Sequence, residues 1–225
     1  MARKLRRRAP LLVLLTLGLS LMMVSQASAA GRFYGSSLGT WSGRWWQWAY
    51  SVPADANHPL FDATGADCMN GQASKGFVFL AGIFNESGDV VRDDCTVPVG
   101  RGLFFPVLNV ECSSLEAAPF YGDDPASLAT CLDPWSSSGT FATIDGAPVP
   151  SFSVRSQMYG IGPVADPNIL GATPGATGVS MTDGLYGVLP PLPPGHHTLH
   201  FGGAYVLDGT PIGYDLDITY HLTVA

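Results

Sequence analysis

The clearest alternation of apolar and polar positions lies at the end of the chain. Between residues 214 and 224 an apolar or aromatic side chain occupies every second position, at Leu216, Ile218, Tyr220, Leu222 and Val224. Successive side chains of a strand point to opposite faces. The pattern therefore predicts a strand with one face in a core and the other in water.

A segment near residue 40 has the spacing of a helix instead. Apolar residues recur there every three or four positions, at Leu38, Trp41, Trp45, Trp48 and Val52. This spacing places them along one side of a helix. Thr40 is a candidate N-cap, and Pro53 would end the helix close to Val52. We therefore predict an amphipathic helix over about residues 38–52.

The tryptophans of this helix have two interpretations. They can form an exposed platform on which sugar rings stack, or a buried stripe that packs on a sheet. Burying a large aromatic side chain is worth about 2–3 kcal/mol, so we favour the buried stripe for Trp41, Trp45 and Trp48. Trp46 points about 100° away from its neighbour, and we expect Trp46 or Trp135 to be the exposed ring.

The rest of the chain alternates short apolar runs with turns rich in Gly and Pro. Residues 77–84 form one run, and residues 89–92 are predicted to return beside it as a hairpin. Residues 103–108 form another, in which Pro106 indicates a sheet edge or a bulge. Further short strands are predicted near residues 140–144, 152–159 and 184–189. The pattern predicts a mainly β fold: an antiparallel β-sandwich, jelly-roll or immunoglobulin-like, with the N-terminal helix packed on it.

The first 30 residues have the composition of an export signal. Five basic residues precede an apolar run over residues 11–24, and Ala27, Ser28 and Ala29 form a small-residue cleavage site. We therefore predict a signal peptide over 1–30 and one domain over 31–225. The predicted location is secreted or periplasmic, with no membrane span after cleavage.

Removal of the signal changes the charge of the protein. Five of the 11 basic residues lie in the signal, so the remaining 6 face 18 acidic residues and residues 31–225 carry a net charge of −12. Such a surface repels phosphate backbones and anionic lipids. We therefore expect neither nucleic acid nor a membrane surface as a partner.

The four cysteines are Cys68, Cys95, Cys112 and Cys131. An even number in an oxidising compartment predicts two disulfides. Three pairings are open, and we favour Cys68 with Cys95 and Cys112 with Cys131 because each closes a local excursion. No two cysteines have the Cys-x-x-Cys spacing of a thiolate metal site.

A set of short motifs resembles a group of exported bacterial proteins of uncharacterised function. The motifs are WSGRWWQWAYSVP, DATGADCMNGQ, FVFLAGIF, CTVPVGRGLFFPVLNVEC, IDGAPVP, PLPPGHHTLHFGG and DITYHLTV. They span nearly all of residues 31–225. The resemblance implies one secreted module and carries no activity or catalytic residue with it.

Two apparent catalytic patterns lack the context that their chemistry needs. Gly35 to Gly39 matches G-x-S-x-G, but no buried strand precedes it and the alternating strands and helices of a hydrolase are missing. His196 and His200 are about 13 Å apart on a strand, too far for one metal ion. We predict no metal, no cofactor and no catalytic residue from these patterns.

The remaining candidates for ligand binding are Glu111, Asp62, Asp67, His58 and Trp46. Glu111 stands out because it ends a buried run beside a cysteine, where a carboxylate needs partners. The favoured hypothesis is a non-enzymatic protein that binds an envelope or extracellular ligand, such as a glycan, or has a structural role. The alternative is a glycosidase-like secreted hydrolase that uses Asp62, Asp67 and Glu111, whose carboxyl groups would then stand about 5–9 Å apart.

Overall fold

The structure is a computed structural model that describes residues 32–55, 57–84 and 88–225. The predicted signal peptide over 1–30 lies outside these residues. The described chain forms helices α1 (Leu38–Ser51) and α2 (Pro125–Leu132). Its strands are β1 (Arg32–Phe33), β2 (Ser36–Ser37), β3 (Val78–Phe79), β4 (Gly88–Arg92), β5 (Thr96–Val97), β6 (Leu103–Ser113), β7 (Trp135–Ile144), β8 (Ala147–Pro148), β9 (Ser151–Arg155), β10 (Tyr159–Ile161), β11 (Gly178–Leu189), β12 (Gly195–Leu207) and β13 (Thr210–Val224). The protein is mainly β, as predicted, and neither helix has the length and apolar character to span a bilayer.

Two large sheets contain most of the strands. The first has the order β10-β11-β6-β3 with β9 also on β11, and the second has the order β4-β13-β12-β7-β8 with β5 also on β13. Strands β1 and β2 form a separate ribbon.

The pairing of the edge strands corrects two predictions. Strand β3 pairs with β6, and β4 and β5 pair with β13, in parallel. The sheets are therefore mixed, not wholly antiparallel. The hairpin over 77–92 is also wrong, because β3 and β4 join different sheets and the chain crosses between them.

Apolar side chains of both large sheets meet in one core. Phe105 of β6 and Phe201 of β12 have ring centroids 4.8 Å apart in this core. The alternation predicted for β13 is confirmed, since every second residue from Leu216 to Val224 is buried. The two sheets thus share an interior.

Helix α1 packs on residues of the first sheet. Its N-cap is Ser37, whose hydroxyl accepts the backbone N–H of Thr40 at 3.2 Å, so Thr40 is not the cap. Trp41, Trp45 and Trp48 are buried, in a second core that includes side chains of β6 and β11. The predicted stripe of three buried rings is therefore confirmed.

Trp46 is buried as well, and Trp135, the other ring named as a candidate for exposure, is half-buried. The Trp46 side chain is 7% exposed, and its indole N–H donates to the Thr182 hydroxyl of β11 at 3.0 Å. The helix lies so close to β10 that a Cβ at Gly43 would come within 2.9 Å of the Tyr159 ring. The helix therefore buries more of its circumference than a single stripe.

The favoured disulfide pairing is confirmed. Cys68 bonds to Cys95 and Cys112 bonds to Cys131, with Cα atoms 5.7 and 6.3 Å apart. The first bond ties the segment before β3 to the residue before β5. The second ties the end of β6 to α2.

Arg92, at the end of β4, is a fully buried cation. Its guanidinium donates to the carbonyl oxygens of Asp62, Ala81 and Gly82 and to the Tyr220 hydroxyl. These bonds join the segment that precedes β3, the residues that follow it and the second sheet.

Candidate functional site

A cavity of about 290 Å³ is bounded by α1, β6 and parts of β12 and β13. It lies beside an irregular part of β6. Leu185 of β11 pairs with Leu108, but the next residue, Tyr186, pairs with Pro106, so Val107 is an extra residue on β6. Pro106 has no N–H for the ladder and is accommodated at this bulge, as its sequence position indicated.

The second sheet is irregular beside the same cavity. Ala204 pairs with Asp215, but Val206 pairs with Pro211. Between these pairs Tyr205, Ile212 and Tyr214 line the cavity. Because bulges bend strands and redirect side chains, the irregularities in the two sheets leave room for the cavity.

Aromatic rings form much of the cavity wall. Trp45, Trp46 and Tyr50 of α1 are buried, and the rings of Trp46 and Tyr50 are 5.5 Å apart. Further out, half-buried rings are linked in a series with centroids 5.5 to 6.4 Å apart: Phe120, Trp135, Tyr205 and Tyr214. Ile212 is 44% exposed. We call the three buried rings of α1 the floor of the cavity and the four half-buried rings its rim. The cavity therefore extends from a buried floor to a partly exposed rim.

Two carboxyl groups, Glu111 and Glu116, lie in the same wall. Glu111 projects from β6, and Glu116 belongs to the turn segment that follows it. The two groups are within hydrogen-bonding reach of each other. Ser180 of β11 donates to Glu111 at 2.5 Å, and the Ser113 hydroxyl donates to Glu116 at 3.0 Å.

Burial raises the pKa of Glu111 well above its usual range, and the neighbouring charge of Glu116 raises it further. Burial also raises the pKa of Glu116. Two like charges this close in a desolvated site cannot both ionise readily. The pair therefore keeps a shared proton to higher pH than a carboxyl group in water does.

Hydroxyl groups surround this acid pair. The Tyr159 hydroxyl lies 2.9 Å from the Ser180 hydroxyl. The Tyr50 side chain is 1% exposed, and its hydroxyl approaches the Glu111 carboxyl group without ordinary hydrogen-bond geometry in the described residues. Burial first, and then the charge of Glu111, raise the pKa of Tyr50.

Of the five predicted site residues, the structure brings two to the cavity, Glu111 and Trp46. His58 is buried elsewhere, where its ring contacts the carbonyl oxygen of Ala49 at 2.9 Å and the N–H of Leu60 at 3.1 Å. Burial lowers the pKa of His58. Its partners are thus backbone groups.

Asp62 and Asp67 organise a turn and do not line the cavity. The Asp62 carboxylate accepts the backbone N–H groups of Thr64, Gly65 and Asp67 at 2.8–2.9 Å. Burial tends to raise the pKa of Asp62, but these hydrogen bonds outweigh it and the pKa is lowered. Asp67 accepts from the Asn70 side chain at 3.1 Å. The carboxyl set of the hydrolase hypothesis is therefore not assembled in one place.

Sequence analysis missed Glu116, Tyr50 and Ser180. Glu116 follows Glu111 by five residues, a spacing that fits neither one strand face nor one helix face. The turn after β6 brings Glu116 close to Glu111, and the sequence does not predict the shape of this turn. The one sequence feature that pointed to Glu116 was its closeness in the chain to Glu111, which was already a candidate.

The other chemical motifs have separate partners. Ser37 of the G-x-S-x-G match is the N-cap of α1. His197 and His200 contact different carboxylates, Asp145 and Asp217. In the described ranges no three His, Cys, Asp or Glu side chains are grouped closely enough to hold a metal ion.

Comparisons with known proteins add little. No protein-family model matches the chain, and no curated protein matches it. One solved structure, "Structure of PbICP-C in complex with falcipain-2", is 14% identical with a TM-score of 0.26 and covers 67% of this chain and 100% of its own. Another, "Solution Structure of Amebosin", is 13% identical with a TM-score of 0.20 and covers 63% and 100%. Similarity at this level carries no argument about fold or function.

Proposed function

We propose that the protein is an exported, non-enzymatic binding protein that takes a small, mostly apolar ligand of the envelope or extracellular space into the cavity beside Glu111 and Glu116. The observation that carries this proposal is the cavity itself, with its aromatic floor and half-buried aromatic rim. Pockets for small molecules are concave, mostly apolar and fitted with a few polar groups. This cavity has all three properties.

The size and polarity of the cavity favour a small ligand over an extended glycan. Its 290 Å³ is just below the roughly 300–1,000 Å³ typical of small-molecule pockets. A glycan needs many hydrogen-bonding partners, whereas much of the polar wall is already engaged. The Asn109 side chain donates to Tyr186, and the Asn109 carbonyl oxygen accepts from Tyr205.

The location and the finer fold belong to the same proposal. Two disulfides fit an oxidising extracellular or periplasmic compartment, and the N-terminal sequence fits an export signal. The shared core of the two sheets supports a β-sandwich, of jelly-roll or immunoglobulin-like type, with α1 packed on it.

The hydrolase alternative has less support. The two catalytic carboxyl groups of a glycosidase stand about 5–9.5 Å apart, with substrate or water between them. Glu111 and Glu116 are within direct hydrogen-bonding reach, while Asp62 is occupied by backbone N–H groups.

A fluorescence titration tests the binding proposal. Trp45, Trp46 and Trp135 line the cavity, so their emission should change saturably as small aromatic and aliphatic probes bind to the oxidised protein. Ile83→Trp should weaken binding because Ile83 lines the cavity and the larger side chain narrows it. Val91→Trp, at a strand residue that is 50% exposed and away from the cavity, should not.

Two results would count against the proposal. The first is the absence of saturable binding across the probe panel. The second is equal binding by the wild type and Ile83→Trp. If a glycan array gives binding where every apolar probe fails, glycan recognition replaces the small-ligand proposal.

A further inference from the structure

The acid pair in the cavity has no cation of the protein beside it. The ion pairs among the described residues do not include Glu111 or Glu116. Their hydrogen-bond donors are the Ser180 and Ser113 hydroxyls. Burying a carboxylate is unfavourable unless it is paired or protonated. The pair therefore relies on a shared proton where an ion pair would need a cation, and it still carries one negative charge.

Arg92 gives a contrast within the same molecule. Its buried charge is fully engaged by three carbonyl oxygens and one hydroxyl. The fold thus encloses a charge completely where that charge has a structural role. Around Glu111 and Glu116 it instead leaves a cavity whose rim is partly exposed.

A second observation at the cavity is the Tyr50 hydroxyl. It is buried, it lines the cavity, and its contact with the Glu111 carboxyl group lacks ordinary hydrogen-bond geometry, so it has no well-formed hydrogen bond in the described chain. Buried polar groups normally have partners, and exceptions call for an explanation. A ligand that brings a polar head to this end of the cavity would supply one.

The cavity wall also suits a positive charge. Cations bind favourably over the faces of Trp and Tyr rings, and Trp46 and Tyr50 line the wall that contains Glu111. The net charge of −12 on residues 31–225 attracts cations to the protein from solution.

We propose that the ligand is an organic cation, an ammonium group on a small apolar body, with Glu111 and Glu116 as its counter-ion and Tyr50 beside its head. This inference rests on the proposed binding function. The aromatic rim holds the apolar body, and the ammonium group takes the position at the acid pair. The pair with its one shared proton already carries a single negative charge, so it neutralises the ammonium group without gaining or losing a proton.

The groups that face the pair determine how it titrates. They are the Tyr50 hydroxyl from α1, the Ser113 hydroxyl from β6, the Tyr159 hydroxyl from β10 and the Ser180 hydroxyl from β11. Burial raises the pKa of both tyrosines, so neither ionises near neutral pH. The negative charge that meets the ammonium group is therefore that of the acid pair.

The test compares three probes of nearly equal size at pH 7: benzylammonium, benzyl alcohol and benzoate. We expect the affinities to fall in that order, with benzylammonium about tenfold or more tighter than benzyl alcohol, because hydrogen bonds to charged groups are the stronger class. Protonation of both glutamates removes the negative charge of the pair, so the preference for benzylammonium over benzyl alcohol should be lost as the pH is lowered.

Matched variants locate the effect. The double variant Glu111→Gln/Glu116→Gln keeps the side-chain sizes and removes the negative charge of the pair, so it should abolish the preference for benzylammonium over benzyl alcohol. Asp94→Asn removes one negative charge from an exposed position outside the cavity and should retain the preference. Near-ultraviolet circular dichroism verifies that each variant is folded, and the wild-type preference with its loss at lower pH decides the question if a variant is not.

The outcomes separate this inference from the function on which it rests. Equal affinity for benzylammonium and benzyl alcohol at pH 7, or a preference for benzylammonium that is unchanged as the pH is lowered, overturns the inference and leaves the binding function standing. Preference for benzoate overturns it in the same way. Failure of all three probes together with the wider apolar panel removes the proposed function as well.

Discussion

The buried Arg92 gives the sharpest stability prediction. Replacing it with methionine keeps an unbranched side chain of similar length but removes all the donors. The Ala81 carbonyl oxygen still accepts from the Tyr220 hydroxyl at 2.8 Å. The carbonyl oxygens of Asp62 and Gly82 lose their donor and have no other among the described residues.

The expected magnitude follows from those two orphaned acceptors. Each buried unsatisfied group costs about 1–3 kcal/mol, giving about 2–6 kcal/mol for the two together. Removing a buried cation recovers part of this loss. We therefore expect Arg92→Met to lower the free energy of unfolding by about 3 kcal/mol, which is a fall in Tm of about 6–12 °C for a chain of this size.

Urea denaturation of the oxidised protein, followed by tryptophan fluorescence, measures the loss. Arg155→Met is the matched control, because Arg155 forms its ion pairs with Asp133 and Asp183 at the surface and such pairs contribute about 0–1 kcal/mol. Arg92→Lys should fall between Arg92→Met and the wild type, since one ammonium group cannot reach acceptors that the guanidinium fork spans. Equal stability of Arg92→Met and Arg155→Met would refute this account of the core.

Three further predictions concern stability under changed conditions. Replacing Cys112 and Cys131 with serine should lower the free energy of unfolding by about 3 kcal/mol, because the bond closes a loop of 19 residues; an unchanged urea midpoint would contradict this. The pKa of Glu111 is raised by folding, so wild-type stability should fall as pH rises from about 4.5 through the folded pKa, and Glu111→Gln should flatten that part of the stability profile. The pKa of Asp62 is lowered by folding, so Asp62→Asn should be less stable than the wild type at neutral pH, with a gap that closes as pH falls below about 4; a gap that stays constant would show that the carboxylate is not the source.

Periodicity along the chain predicted two kinds of element. These are elements held by contacts between sequence neighbours and elements with one face in a core. The helix tryptophans and the alternation of β13 are of these kinds, and the disulfides follow because each closes a short loop. The placement of β4 could not be predicted in the same way. Residues 88–92 have the pattern of a hairpin return strand, and only the pairing with β13, more than a hundred residues later, decides which sheet they join.

The candidate site was predictable only in part, for the same reason. Glu111 was found because a carboxylate at the end of an apolar run requires partners. Those partners come from α1, from β11 and from the turn that contains Glu116, and no periodicity in the sequence relates these three segments. Trp46 was selected as one of two candidates for an exposed ring, and it instead forms part of a buried wall.

The Cys112–Cys131 bond has a consequence for when the cavity is complete. Glu111 immediately precedes the ring that this bond closes, and Glu116 lies inside it. Without the bond, the segment that contains Glu116 is no longer cross-linked to the end of β6, and the distance between the two glutamates is no longer fixed. Ligand screens on material made in a reducing cytosol would then return false negatives, whereas the same chain matured under oxidising conditions would be competent.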